Sequence, residues 1–208
     1  MKKRIDGRTA KGLRIREQFR EQILAAYIDL IRSGIPAPTA AEIAKRGRLS
    51  LRVVFKHFPD LRTLRLAAFS QIQQRSDEFF SREIPQAGSA EERLTLFVDQ
   101  HMRRLEFLMP IRRTAAMVES VDPDVARALR QGRAAALVEL KEYLGPTLKA
   151  FSPAERREML TRLHMVCSWG ALEFLRNYYR VSPARARALI SGVALSVLAD
   201  AERRAKAH

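Results

Sequence analysis

Three times in its 208 residues the sequence sets a hydroxyl side chain three places ahead of a glutamate: Thr39-x-x-Glu42, Ser89-x-x-Glu92 and Ser152-x-x-Glu155. In that arrangement the hydroxyl accepts from the third helical N–H while the glutamate reaches back to the N–H of the capping residue. Donors that a helix start otherwise leaves orphaned are satisfied. Proline follows the cap in Asp122-Pro123, Ser152-Pro153 and Ser182-Pro183, at the first helical position, where a missing N–H costs nothing. No stretch alternates with period two for long enough to argue a sheet. The chain is expected to be all-α, with helices over about 13–33, 39–46, 50–57, 60–82, 89–108, 110–120, 122–144, 153–180 and 183–204.

In the first of these, Phe19, Ile23, Tyr27, Leu30 and Ile31 follow the helical repeat. Gly34 stops it, and Pro36 and Pro38 keep the chain from resuming at once. Residues 1–12, basic and with two glycines, read as a mobile arm. A small three-helix domain over 13–58 follows, then a connecting helix over 59–82 and a larger helical body over 83–208. Glu83 to Gly88, with Pro85, is the longest polar break in the first half.

Charge narrows the partners. The formal net charge is +15. Residues 1–70 carry 16 basic and 6 acidic side chains, a net of +10, whereas 71–208 carry 22 and 17, a net of +5. A basic N-terminal third suits a polyanion, either nucleic acid or an anionic membrane surface. With one cysteine, Cys167, no intrachain disulfide can form. The charged N-terminus lacks the apolar stretch of a signal peptide, and no apolar run is long enough to span a membrane. A soluble, cytoplasmic protein is expected. No glycine-rich phosphate loop, nucleophile elbow or paired-carboxylate motif argues for an enzyme, and no cofactor is implied. His164 and Cys167, three apart, could supply two metal ligands; without a further cysteine, a core histidine and a buried structural thiol explain them better.

Residues 39–58 read TAAEIAKRGRLSLRVVFKHF. Two short helices, capped at Thr39 and Ser50 and joined around Gly47-Arg48-Leu49, form a helix-turn-helix pattern anchored by Ile43, Ala44, Val54 and Phe58. The unit cannot bury its own apolar residues and needs the preceding helix as a third wall. In such a unit the second helix lies in the major groove and the first crosses the backbone.

These residues resemble the tetracycline-repressor (TetR) family pattern, roughly Thr-x3-Ile-Ala-x3-Gly-Val-Ser-x4-Tyr-x2-Phe-x2-Lys-x2-Leu. Thr39, Ile43, Ala44, Leu49, Ser50, Phe55, Phe58 and Leu64 stand at matching places. The resemblance implies a helix-turn-helix head on a C-terminal ligand-binding and dimerisation domain, about nine helices in all. It also implies binding to double-stranded operator DNA, usually as a repressor. Three positions depart from the pattern: Arg48 replaces the turn glycine, Phe55 the tyrosine and Leu61 the lysine. Phe55 and Leu61 cannot make the phosphate contacts those residues often make. Arg48, Lys56, His57 and Arg62 are the candidates to replace them, implying a shifted phosphate footprint. Base readout falls to Leu51, Arg52, Val53, Lys56 and His57, with Arg52 suited to bidentate contact with a guanine edge. The arm residues Lys2, Lys3, Arg4, Arg8 and Lys11 would add salt-dependent phosphate or minor-groove attraction.

Two later segments are apolar nearly all the way round. Between Leu163 and Leu175 the charged side chains are Glu173 and, if protonated, His164; between Ala188 and Ala199 there are none. A surface helix should show one wet face, so burial on two sides is implied, most simply against a second copy. TetR-family dimers are similarly built from the last two helices. Gly170, Ala171, Leu189, Gly192, Val193, Ser196 and Val197 are the candidate interface residues. Phe97, His101, Met102, Leu105, Met109, Met117, Cys167, Trp169 and Phe174 are candidates for a small-molecule effector pocket, because methionines and aromatics adapt to varied apolar ligands. The competing functions are a basic nucleic-acid or membrane binder without sequence preference, a DNA-binding scaffold without an effector, and the metal-dependent enzyme.

Overall fold

The computed structural model describes residues 7–80, 84 and 87–206, the side chains of residues 7–11 and 79 excepted. Among the described residues there are nine helices: α1 (Gly7–Arg32), α2 (Ala40–Arg46), α3 (Leu51–His57), α4 (Leu61–Phe80), α5 (Ala90–Val118), α6 (Pro123–Leu148), α7 (Pro153–Val166), α8 (Trp169–Asn177) and α9 (Pro183–Lys206). They divide into two units. Of the described residues, the first holds those to Asp77 together with Leu108–Val121, and the second holds those of Glu78–Phe107 and those from Asp122 onward.

In the first unit, α1 presents Ile23, Tyr27, Leu30 and Ile31 on its buried face, with Leu24, Ala26 and Ile28 beside them. α2 and α3 have seven residues each. Helices that short do not persist in isolation. They form because Ile43, Ala44 and Val54, with Phe58 just past α3, are buried where α1, α2 and α3 pack together. Leu64, Ala68 and Ile72 follow on α4 at one-turn spacing, also buried.

The second unit joins α6 to α7, α7 to α9 and α8 to α9. Leu94, Phe97, Leu140, Leu144, Leu163 and Leu198 are among its buried side chains. Ion pairs tie α5 to three neighbours: Arg104 to Glu139 on α6 at 2.9 Å, Glu106 to Arg176 on α8 at 2.9 Å, and Asp99 to Arg187 on α9 at 3.3 Å. Arg93, only 5% exposed, works differently. It donates to the Tyr143 carbonyl at 2.9 Å, to the Thr147 hydroxyl at 2.8 Å and to the Gly88 carbonyl. These bonds fasten α5 to the turn of α6 that contains Pro146 and so lacks one backbone donor.

The all-α expectation agrees with the structure, but several helix boundaries differ. α1 begins at Gly7, so residues 7–12 are helical and not an arm. Lys2, Lys3 and Arg4 lie outside the described residues, as do the side chains of Arg8 and Lys11. Much of the expected polar break at Glu83–Gly88, Pro85 included, also lies outside them. The expected helices 89–108 and 110–120 are one, α5, which runs through Pro110. Met109, Ile111 and Ala115 are buried on that stretch, and burial of this kind outweighs the loss of one backbone bond. α6 likewise continues past 144 to Leu148. The expected helix 153–180 is two. α7 stops at Cys167, and α8 restarts where the Ser168 hydroxyl accepts from the Ala171 N–H at 3.2 Å.

Arg93→Met keeps most of the side-chain volume but strands the oxygens that the guanidinium serves. A loss of about 1–3 kcal/mol is expected for buried acceptors left unpaired, read as a lower thermal unfolding midpoint. An unchanged midpoint would contradict the clamp.

Candidate nucleic-acid interface

α2 starts as its sequence dictates. The Thr39 hydroxyl accepts from the Glu42 N–H at 3.3 Å, and the Glu42 carboxylate accepts from the Thr39 N–H at 2.8 Å. Those bonds from Thr39 hold the Glu42 carboxyl below its ordinary value. At the other end the chain closes in a Schellman turn: Arg48 N–H bonds Lys45 O at 3.2 Å and Leu49 N–H bonds Ala44 O at 2.9 Å. The residue after the cap must then be left-handed, and here it is Arg48, at φ 51°. The same pair of bonds ends α1, where Gly34 takes the position at φ 94°. The glycine of the helix-turn-helix instead sits one place earlier. A Cβ on Gly47 would meet Ile43 O at 3.2 Å and Ala26 Cβ at 3.4 Å, so Gly47 serves close approach to α1. Gln22 of α1 donates to its carbonyl at 2.8 Å.

α3 is capped by Ser50, whose hydroxyl accepts from the Val53 N–H at 3.3 Å. With Val54 and Phe58 buried, the opposite side of the helix is open. Leu51, Arg52, Phe55 and Lys56 are exposed there, while Val53 and His57 are half-buried at its margins. Phe55 is 48% exposed, an aromatic ring without a hydroxyl on a solvent face. Thr39, Arg48 and Ser50 are exposed at the helix ends, as is Arg62 in the first turn of α4. That helix is capped by Asp60, which accepts from the Thr63 N–H at 2.6 Å. The structure thus gathers the predicted DNA-contact residues on the α2–α3 hairpin and the start of α4.

Two cations escaped the sequence analysis. Arg16 and Arg20 flank Phe19 on α1, and the Phe19 ring lies 5.8 Å from that of His57. The Arg20 guanidinium sits 4.5 Å over the Phe58 ring. The signal was present: Arg16, Phe19 and Arg20 fall on one helical face at i, i+3 and i+4.

The other predicted sets are divided. Phe97 stacks on His101 at 5.1 Å, and the His101 ring hydrogen-bonds to the backbone of Cys167. Burial, aided by Arg104 and His164, takes His101 down to about 4, so it is neutral with an unpartnered Nδ1. Burial also pushes the Cys167 thiol up to about 12. Met102 and Met109 are buried, and Leu105 and Trp169 half-buried. Met109 and Met117 belong to the first unit and the other pocket candidates to the second; Met117, at 61% exposure, and Phe174, at 52%, face outward, since the end of α5 and of α8 each leave one side uncovered. A surface cavity of about 530 Å³ lies instead against α7, lined by Pro153, Arg157, Thr161 and neighbours. Of the interface candidates, Leu189, Gly192, Val193 and Ser196 are exposed on one face of α9, and Gly170 is exposed on α8. Ala171 is half-buried, and Val197 is buried within the unit. Phe174, Tyr178 and Tyr179, mutually 5.1–5.2 Å apart, form an exposed aromatic cluster at the end of α8. Among the described residues no three His, Cys, Asp or Glu side chains are placed to hold a metal, and no helix is long and apolar enough to cross a membrane.

Two solved structures share this arrangement of helices. One is a protein from Rhodococcus sp. assigned to the TetR family of transcriptional regulators, with a TM-score of 0.66 over 86% of this chain and 98% of the other, at 19% identity. The chain has the TetR-family fold. The other is a transcriptional regulator from Rhodococcus sp. Rha1, with a TM-score of 0.64 over 87% and 96% of the two chains, at 18% identity. No protein-family model matches the sequence, and no curated protein matches it. The TetR-like resemblance of residues 39–64 and the folded arrangement therefore agree, at 18–19% identity to the two structures.

The left-handed Arg48 yields a stability prediction. A non-glycine residue in that region costs about 1–2 kcal/mol, offset in part by the greater freedom glycine gains when unfolded. Arg48→Gly is expected to raise the thermal midpoint by roughly 2–4 °C for each kcal/mol recovered. A lower midpoint would mean that the arginine side chain makes a stabilising contact that outweighs its backbone cost.

Proposed function

We propose that the protein is a DNA-binding transcriptional regulator, a repressor that engages a palindromic operator as a homodimer and is released by a small-molecule effector. The observation that carries this reading is the open stripe of α3. It combines two cations, Arg52 and Lys56, with two apolar side chains, Leu51 and Phe55, on a helix anchored to the core on its other side by Val54. Guanidinium and ammonium groups suit guanine edges and phosphates, and apolar side chains suit thymine methyls. The exposed caps at Thr39 and Ser50 and the cations at Arg48 and Arg62 add phosphate contacts around the stripe. The Rhodococcus relative in fold is itself assigned as a regulator of this class.

A second copy is the natural partner for the α8–α9 face. Val193 is 52% exposed, and Leu189, Gly192 and Ser196 share its side of the helix. That arrangement leaves apolar surface in water which an isologous contact would remove. The effector is an apolar compound held among Phe97, His101, Met102, Leu105, Cys167 and Trp169. The neutral His101 offers it a hydrogen-bond acceptor. The protein acts in the cytoplasm, without a catalytic step.

Selection of bound fragments from a random duplex pool at near-physiological salt tests the reading. An inverted repeat is expected. Arg52→Ala should relax the preference at one base position in each half-site and cost about 1–3 kcal/mol there. Binding without any consensus, fading as salt rises, would overturn the operator reading in favour of a nonspecific basic binder.

A further inference from the structure

His57 closes the last turn of α3 and is the only histidine in the first unit. It is half-buried, at the margin of the stripe formed by Leu51, Arg52, Phe55 and Lys56. Its ring meets Phe19 of α1 at 5.8 Å, tilted by 46°. The charged groups facing it are Arg16, Arg20 and Glu17 from α1 and Lys56 from its own helix, three cations against one carboxylate. Arg20 is held in place by its seat over Phe58. In the free protein the imidazole therefore sits below its ordinary value: burial disfavours the cation, then Arg16, Lys56 and Arg20 repel it, and Glu17 opposes them only in part.

A polyanion laid along α3 opposes the repulsion from the three cations and acts in the same direction as Glu17. Phosphates compensate Arg16, Arg20 and Lys56, and they attract an imidazolium directly. The position also has a helix C-terminus beneath it, which favours a positive charge.

We propose that His57 is a proton-linked DNA contact: it takes up one proton as the α3 face engages duplex DNA and donates to a phosphate as imidazolium, so that affinity rises as the medium acidifies. The inference rests on the DNA-binding reading and adds a regulation to it. The sign follows from linkage. The group binds its proton more tightly in the complex than in the free protein, so the association constant grows as pH falls through the bound-state value. It levels off below the free-state one. One proton limits the slope to about tenfold per pH unit.

The test uses the full chain and a duplex carrying the selected inverted repeat, with affinity measured at pH 8 and pH 6 at one ionic strength. The unaltered protein should bind about fivefold or more tightly at pH 6. In His57→Gln, which cannot charge, and in His57→Lys, which stays charged, the ratio between the two pH values should fall towards one. Proton NMR of the His57 imidazole, with and without duplex, needs no variant, and it should show a higher titration midpoint in the complex. If the operator is bound but the variants keep the pH ratio of the unaltered protein, or the midpoint does not rise, this inference fails alone. If no version prefers the repeat over random duplex, the operator reading fails and takes the inference with it.

Discussion

Burial of Ile43, Ala44, Val54 and Phe58 against the Ile23–Ile31 face of α1 is the interaction on which the rest of the first unit depends. Two seven-residue helices have almost no stability of their own. Their orientation is fixed because each has one apolar side and a single wall to place it on. That geometry leaves the opposite side of α3 without protein neighbours, and Arg52 and Lys56 occupy it. Folding and the exposure of a chemically mixed stripe are thus one event. A change that loosens Phe58 from the core also releases Arg20, whose guanidinium rests on its ring.

The two units spend polar side chains differently. Around α3 the cations meet solvent, with only scattered carboxylates such as Glu17 to oppose them. The second unit uses several of its arginines internally, in Arg104–Glu139, Arg176–Glu106, Arg187–Asp99 and the carbonyl clamp of Arg93, while others such as Arg130, Arg133 and Arg157 are exposed. A similar link joins Arg162 of α7 to Asp200 of α9 at 2.8 Å. By sequence, ten of the fifteen net positive charges fall within residues 1–70.

Much of this was legible in the sequence. Capping boxes at Thr39 and Ser152 and the proline starts at Pro123, Pro153 and Pro183 appear as helix starts because they act through bonds within a few residues of themselves. What local signals could not convey was tertiary burial. Pro110 looks like a stop, yet buried Met109 and Ile111 carry α5 through it. Ser168 lies in an unbroken apolar run, and its N-cap was masked by that run and by the lack of a glutamate three places on. Phe174 reads as a pocket residue by its type, but its exposure depends on which side of α8 the neighbouring helices leave open. At the helix-turn-helix the departure at Arg48 was visible, and its consequence was not: the left-handed backbone remains, and the arginine occupies it.

The central claim is that two copies of α3 read duplex DNA together. A hydroxyl-radical footprint of the full chain on its preferred duplex tests this most directly. Two protected stretches are expected on one face of the helix, with half-site centres one turn or a multiple of it apart, about 34–36 Å for one turn. A single protected stretch, or protection spread evenly along the duplex, would contradict the claim.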